Sequence, residues 1–553
     1  MHLVRYSFRE FAIKGMFKPK IFTSETVIKV MKKILYATFL LIVVISAQAK
    51  KPNILFFYAD DWGKMASCYT DDSVFGKINE TFQTPAFDRL ANEGARFRNA
   101  FYPVSQCTPC RASIATGSYF WRTGNTAFLN HKDGGPKKFV DSGLPGFGPA
   151  LVNQGYFVAS AGKTFKSNWS KAKVVTERNA RFRYSLYIEE GTAPSKLEEE
   201  YRVLIKGMLG QRKEGQPFYF VYGPINTHRP WIKGSGAKLW NLNPDDLTDR
   251  MPVFLPDVPE VREDMADYIG EVLALDLMLH CFMEELEKAG ELDNTVVIAT
   301  GDNGPPGFTR GKTNCYGFAL RAPLLVRWPG VVKPGMVIDD FLNLMDLGPT
   351  FQEIAGAEAG KEMDGRSILP LLKAGKSGHI DPSRNHVIVG RERHVHSARE
   401  GSLSYPSRAM ITKDFLYIDN PHEERWPQGE PKKSATVTTP KKLAELGEET
   451  YGAFEDIDGS PTKSFVMSLR DDVDQRKYWE YAFAKRPKEE LYLLENDADS
   501  MVNLANHPKY KAVKEKLAQK LMAVRQATKD PRLTDAFDQM PWTNPGVKEK
   551  SNK

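Results

Sequence analysis

The chain has little cysteine: five residues in 553, at positions 68, 107, 110, 281 and 315. Such a small, scattered set cannot build a disulfide framework. With a single close pair, it cannot make a four-cysteine zinc site either. Long hydrophobic runs are also lacking: the apolar stretch Ile34–Ile45 is too short for a comfortable bilayer span. No internal repeat is present, and no block of one charge runs through the body of the chain. The net charge is +7, but residues 1–49 hold eight of the 76 Lys/Arg and two of the 69 Asp/Glu. The remainder carries 68 basic against 67 acidic residues, which removes the main support for a nucleic-acid partner. With 41% hydrophobic and 26% charged residues the composition is that of a folded protein rather than a disordered one.

What is present begins with a leader. Met31-Lys32-Lys33 precedes the apolar run, and Ser-Ala-Gln-Ala ends at Ala49. This is the n-region, h-region and Ala-x-Ala site of a secretory signal peptide. Residues 1–30 lie upstream of a complete signal, which points to Met31 as the true start. No cysteine follows the cleavage site, so no lipid anchor is indicated. The expectation is an exported, periplasmic or secreted protein without a stable membrane anchor. Length allows one large core and a smaller one. The expected organisation is residues 1–49 as leader and signal peptide, 50–375 as catalytic domain and 376–553 as a smaller C-terminal domain. The boundary is the Gly/Lys-rich stretch 372–381.

Four apolar runs of strand length recur: Asn53–Ala59, Tyr156–Ser160, Phe218–Tyr222 and Thr295–Thr300. Their hydrophobicity is continuous rather than alternating, as in strands covered on both faces. Helical stretches separate them, the clearest over 263–289, and the alternation predicts an α/β parallel sheet. Each run ends in polar residues: Asp60-Asp61, Gly162-Lys163, His228 and Asp302-Asn303-Gly304. Open α/β sheets bind ligands outside the carboxyl ends of their strands, so these ends form one constellation. Further on, 408–412 and 415–418 predict a hairpin, 491–494 a strand and 511–528 an amphipathic helix, together a small antiparallel sheet with a packed helix. Residues 420–480, Pro- and Lys-rich with little periodicity, predict long surface loops.

The chain is organised around Cys107-Thr108-Pro109-Cys110-Arg111 and the Ser/Thr-Gly tail to Ser118. The stretch predicts a cysteine at a helix N-terminus, where backbone N–H groups and the dipole favour an anion. Arg111 adds a fork that can pair an oxyanion. Three readings fit these residues: a buried or disulfide-bonded pair, a Cys-x-x-Cys redox centre, or a Cys-x-Pro-x-Arg catalytic signature. Asp60, Asp61, Asp302 and Asn303 offer only oxygen, the set preferred by a hard cation such as Ca2+ or Mg2+ over zinc. Read alone, each pair is a turn.

Taken together, Lys51-Pro-Asn-Ile-Leu with Asp60-Asp61, Cys107-x-Pro-x-Arg111, Gly162-Lys163, His228, Asp302-Asn303-Gly304, Gly311-Lys312 and Glu490-Leu-Tyr resemble the type I sulfatases in order and spacing. The chain looks closest to the heparan N-sulfatase (sulfamidase) branch, through Phe97–Phe101, Cys107–Gly117, Gly311–Tyr316 and Ser404–Arg408. The resemblance implies an alkaline-phosphatase-like, mainly parallel sheet sandwiched by helices, with a smaller α+β C-terminal domain. It implies a sulfuric ester hydrolase, acting on sulfate esters or sulfamates of carbohydrate. Cys107, oxidised to formylglycine by a maturation enzyme, would be nucleophile and metal ligand, and one Ca2+ would sit on Asp60, Asp61, Cys107, Asp302 and Asn303. Arg111 would steady the nucleophile, Lys163 and Lys312 would neutralise sulfate oxygens, and His228 would protonate the leaving group.

One position departs from the family pattern. Where relatives carry Gly-Lys-x-His, this chain reads Gly162-Lys163-Thr164-Phe165, and Phe165 cannot exchange a proton; His131 is a candidate to replace the missing His. The basic cluster Arg391, Arg393, His394 and His396 is a candidate to hold an acidic sugar, with Arg391, His394 and His396 as substrate residues. Trp62, Trp121 and Trp231 are candidates to stack on sugar rings. Expected partners are a sulfated glycosaminoglycan or algal polysaccharide such as ulvan. Two other classes stay open: a catalytically impaired carbohydrate-binding relative, prompted by Phe165, and a Cys107/Cys110 redox protein. A phosphoesterase of the same superfamily would carry Thr or Ser where Cys107 stands.

Overall fold

In the computed structural model, residues 50–128, 143–164, 194–534 and 536–539 are described. The leader over 1–49, His131 and Phe165 lie outside them. The described residues from 52 onward belong to one compact unit. A seven-stranded sheet runs through it in the order β4-β5-β1-β6-β7-β2-β8. Its strands are β1 (Asn53–Ala59), β2 (Ala95–Phe97), β4 (Phe157–Gly162), β5 (Phe218–Gly223), β6 (Thr295–Gly301), β7 (Leu324–Arg327) and β8 (Met336–Ile338). The short pair β3 (Ala100–Phe101) and β9 (Leu342–Asn343) lies apart. The four adjacent strands β4, β5, β1 and β6 are parallel to one another, whereas β7 runs antiparallel to β6 and β2.

The continuous apolar runs follow from burial on both faces. Leu55, Phe57 and Ala59 of β1 join one hydrophobic cluster with Phe218, Phe220, Val297 and the long helix Pro259–Lys288. Ile54, Phe56 and Tyr58 point into a second cluster with Tyr219, Ile298, Ile114 and Phe351. Side chains alternate across a strand, so a strand covered on both faces needs an apolar residue at every position. Each fully buried Phe or Leu contributes about 1.5–3 kcal/mol.

A second sheet is antiparallel, in the order β10-β11-β12-β13: β10 (His386–Arg391), β11 (Ser407–Thr412), β12 (Phe415–Asp419) and β13 (Glu489–Leu493). The helix Lys511–Ala527 contributes Leu517 and Leu521 to the second cluster, which also takes in Tyr417 and Leu491 from this sheet. The architecture is the expected alkaline-phosphatase-like one. Among the described residues no helix is long and apolar enough to cross a membrane.

Residues 420–480 differ from expectation. They are not surface loops but carry the helices Pro440–Glu448, Pro461–Ser468 and Arg476–Phe483. These surround a cluster of Ala453, Phe454, Ile457, Val466, Met467 and Phe483. Two of the prolines that read as loop residues, Pro440 and Pro461, stand at the first helical position, where φ is already helical and no N–H is missed. Ser460 caps the second of these helices by accepting from the Lys463 N–H at 2.8 Å.

Candidate active site

The four parallel strands deliver the charged residues to one edge. β1 ends at Asp60 and Asp61, β6 at Asp302 and Asn303, β4 at Lys163, and the loop after β5 carries His228. Asp61 takes a left-handed φ of 57°, a conformation Asp tolerates. Its N–H donates to Asp302 Oδ1 at 2.8 Å, which ties the two strand ends together. Gly162 and Gly223 close the neighbouring pair. A Cβ on Gly162 would collide with the Gly223 carbonyl, and one on Gly223 with the Lys163 carbonyl. That tight approach leaves the Lys163 carbonyl to accept from Arg111 Nη1 at 2.6 Å.

Cys107 opens the helix Cys107–Thr116, which follows the extended Gln106 and stops at Gly117, left-handed at φ 61°. The sequence reading of this stretch therefore matches the backbone. Cys107 is 1% exposed, and its Sγ lies 3.5 Å from Asp61 Oδ1. Cys110, one turn on, faces the Tyr58 hydroxyl at 3.6 Å. The two thiols thus have different surroundings, and both are free.

Charge pairs knit the floor. Arg111 Nε donates to Asp302 Oδ2 at 2.6 Å while its guanidinium lies over the Tyr58 ring. Lys163 Nζ reaches both oxygens of Asp60, at 2.7 and 2.6 Å. Lys312 Nζ meets Asp61 Oδ2 at 2.9 Å and Asp458 Oδ2 at 3.4 Å. Burial favours a neutral Asp60, but Lys163, His228, Arg111 and Lys312 together hold its carboxyl well below the usual range. Burial likewise opposes charge on Lys312, yet Asp458 and Asp61 keep its ammonium well above its ordinary value. Burial, with Asp60 beside it, pushes the Cys107 thiol up.

The donor set fits a hard cation. Ligand atoms of Asp60, Asp61, Cys107 and Asp302 all lie within 4.8 Å of one another. Asn303 donates its Nδ2 to Asp61 Oδ1 at 2.7 Å, and its buried Oδ1 has no protein partner. An amide oxygen held next to three carboxylates, with no donor of its own, suits an oxygen-liganded hard cation.

Above this floor lies a cavity of about 620 Å³, lined by Cys107, Lys163, His228, Arg229, His394 and Asp458 among others. Burial lowers the pKa of His228, against the pull of Asp61 and Asp60. His228 Nδ1 donates to the Arg229 carbonyl at 2.5 Å, and a carbonyl only accepts. Nδ1 therefore carries the hydrogen and Nε2 is left to exchange a proton.

The structure brings Cys107, Arg111, Lys163, His228, Lys312 and the four oxygen donors together. Of the basic cluster, only His394 reaches the cavity; its ring is buried, with Nε2 3.6 Å from Asp458 Oδ1 and Nδ1 unpartnered. Arg391 is buried and pairs with Asp456 and the Pro427 carbonyl, and half-buried His396 does not line the cavity. Trp62 is core, stacked on Phe87, and Trp121 stacks on Tyr119. Sequence reasoning missed Asp458, set in the stretch taken for loops. It also missed Asp264, which holds the Arg229 guanidinium at 2.9 and 2.8 Å. Asp456-Ile-Asp458-Gly459 was the only local signal for the first, and Asp264 sits in the first turns of the long helix with none.

Comparison with known proteins agrees with this geometry. The sulfatase family model matches residues 52–357. An ulvan-active sulfatase of Formosa agariphila is 28% identical over 494 residues, covering 88% of this chain and 82% of that protein. Human N-sulphoglucosamine sulphohydrolase is 27% identical over 524 residues, covering 89% of this chain and 93% of the human one. A solved structure in complex with its substrate D-glucosamine-2-N,6-O-disulfate superposes with a TM-score of 0.58 at 18% identity, covering 87% of this chain and 99% of that one. With its strand-end acids, its buried Cys107 and this match over more than half its length, the chain belongs to the type I sulfatase family and is a sulfuric ester hydrolase.

Proposed function

We propose that the protein is exported and removes sulfate, as ester or sulfamate, from carbohydrate during breakdown of a sulfated polysaccharide. The observation that carries this reading is Cys107 on the floor of a cavity whose walls hold Lys163 and His228, beside the carboxylates of Asp60, Asp61 and Asp302 and the unpartnered Asn303 Oδ1. Relatives named for ulvan and for N-sulphoglucosamine support a glycosaminoglycan or algal substrate. The organisation we infer is a signal-bearing leader over 1–49, a catalytic domain over 50–375 and a smaller domain over 376–553 that lends His394 and Asp458 to the cavity.

Cys107 as formylglycine would supply the attacking hydroxyl, and a Ca2+ on Asp60, Asp61, Asp302 and Asn303 would draw charge from a sulfate oxygen. The chain's own residues do the rest. Lys163 and Lys312 bring two fixed positive charges to the sulfate oxygens, and both stay protonated because Asp60, Asp61 and Asp458 stand against them. Arg111, locked to Asp302 and to the Lys163 carbonyl, fixes the helix start that bears Cys107. His228, protonated at Nε2 as the imidazolium that Asp61 and Asp60 favour, would give that proton to the leaving oxygen or nitrogen and return to the neutral ring with its hydrogen on Nδ1. His394 would hold a sugar hydroxyl.

The test is sulfate release by protein co-produced with a formylglycine-generating enzyme, on N-sulfated, O-sulfated and algal oligosaccharides, with a Cys107→Ala control. Release that disappears in the control supports the reading. No release from protein shown by mass spectrometry to carry the aldehyde would overturn it in favour of a binding protein, the reading prompted by Phe165.

A further inference from the structure

A second cavity of about 470 Å³ adjoins the first. The two share Arg229, Pro230, Glu448 and Gly459 as a common wall. Its volume lies within the range of small-ligand sites, roughly 300–1,000 Å³. Trp231 and Phe465 supply aromatic surface, and Ser460, Ser464 and Ser468 line the rest. Both are half-buried and pack against the edge of the main core. The Trp231 indole N–H is buried beneath this surface and has no protein acceptor. The hydroxyl protons of Ser464 and Ser468 go to the carbonyls of Ala444 and Phe465, at 2.8 and 2.6 Å, which leaves their lone pairs to accept.

The charges here are not arranged for an anion. The Arg229 charge is already paired: Asp264 accepts one N–H from each Nη, the Pro306 carbonyl accepts from Nε, and the guanidinium face lies over Trp231. Lys233, exposed, pairs with Glu263 at 3.2 Å. Two carboxylates, Glu260 and Glu448, stand at the wall. An anionic ring would meet these carboxylates without a free guanidinium to offset them. A hydroxylated, uncharged ring meets the aromatic surface of Trp231 and Phe465 and two hydroxyl acceptors, which suits a sugar with an apolar face and polar edges.

Resting on the sulfatase reading for the first cavity, we infer that the second is a subsite for an uncharged sugar ring next to the sulfated one. The substrate is then at least a disaccharide, and a uronate at the neighbouring position is disfavoured.

Calorimetric titration of the full chain tests this without turnover. The probes are N-acetylglucosamine, its unsulfated β-linked disaccharide, and the matching disaccharide with glucuronate as the second ring. The neutral disaccharide should bind at least tenfold tighter than the monosaccharide, and the uronate form should lose that gain. Phe465→Ala, which removes aromatic surface, and Ser468→Trp, which fills the cavity, should each abolish the gain, with melting temperatures confirming folding. A neutral disaccharide no tighter than the monosaccharide, a gain that survives both variants, or equal binding of the uronate form would overturn the subsite. Sulfate release from a sulfated monosaccharide, measured alongside, reports on the first cavity alone, so failure of the sulfatase reading shows separately.

Discussion

Compare the acid cluster at the ends of β1 and β6 with the one gathered around β11. In the second, Glu392 and Asp530 are as deeply buried as Asp61 and Asp302. There every carboxylate oxygen takes at least one N–H: Arg408 and Arg532 supply Glu392, while Arg408, Arg525 and the Arg532 backbone supply Asp530. At the strand ends the oxygens of Asp60, Asp61 and Asp302 are paired as well, but the cluster is left incomplete at other polar atoms. Asn303 Oδ1 and, across the cavity, His394 Nδ1 have no protein partner, and a cavity opens above. Buried charge by itself therefore does not mark a reactive site. Incomplete pairing next to an opening does.

Four measurements would break or sharpen that contrast. Cys107→Ala should remove roughly 10⁴-fold or more of sulfate release, while the melting temperature stays near that of the parent; a large loss of stability would mean Cys107 is structural after all. In the other cluster the sign reverses. Glu392→Gln leaves Arg532 and Arg408 buried against a neutral partner and should cost about 3–5 kcal/mol in denaturant unfolding, with activity per folded molecule unchanged. His228→Ala should slow an alkyl sulfate by roughly 10²–10⁴-fold. It should slow an aryl sulfate much less, because a phenolate leaves without a proton, and equal losses would remove His228 from the acid role.

The smallest effect concerns Lys463, buried and donating to the carbonyls of Glu449, Thr450 and Ile457. Burial pulls its pKa down to about 7. Between about pH 7 and the unfolded value near 10.5, the unfolded chain binds the extra proton, so this group makes stability rise with pH across that window. The slope is at most roughly 1.4 kcal/mol per pH unit, and Lys463→Met should flatten it in melts from pH 6.5 to 10.

Much of the strand-end cluster was legible in the sequence because its residues follow apolar runs, and a run covered on both faces announces both the strand and where it stops. Asp60, Asp302 and Lys163 are read that way. Cys107 was legible through its own helix start. Asp458 was not, because its neighbours owe their burial to the Phe454 and Phe483 cluster, a contact between segments with no periodic signature. The prolines at 440 and 461 misled for a related reason: a proline marks a break, and only the cap that follows tells whether a helix begins. Arg391 and His394 stand three residues apart with similar chemistry, yet Asp456 draws the first inward and only the second reaches the cavity.

The placement of β1 at the centre of the sheet carries a cost in time. Its partners are β5, about 165 residues later, and β6, about 242 residues later. At synthesis rates of roughly 5–20 residues per second, some tens of seconds separate the appearance of Asn53-Ile-Leu-Phe-Phe-Tyr-Ala from that of β6. For that interval an apolar, β-prone segment without a charge has no native neighbour to pair with on that side, which is the composition of an aggregation hazard. Production of this chain should therefore depend on chaperone capacity far more than the stability of the finished fold would suggest. The same delay leaves Cys107, 1% exposed on the cavity floor of the finished fold, far more open to chemistry for as long as the sheet is unfinished.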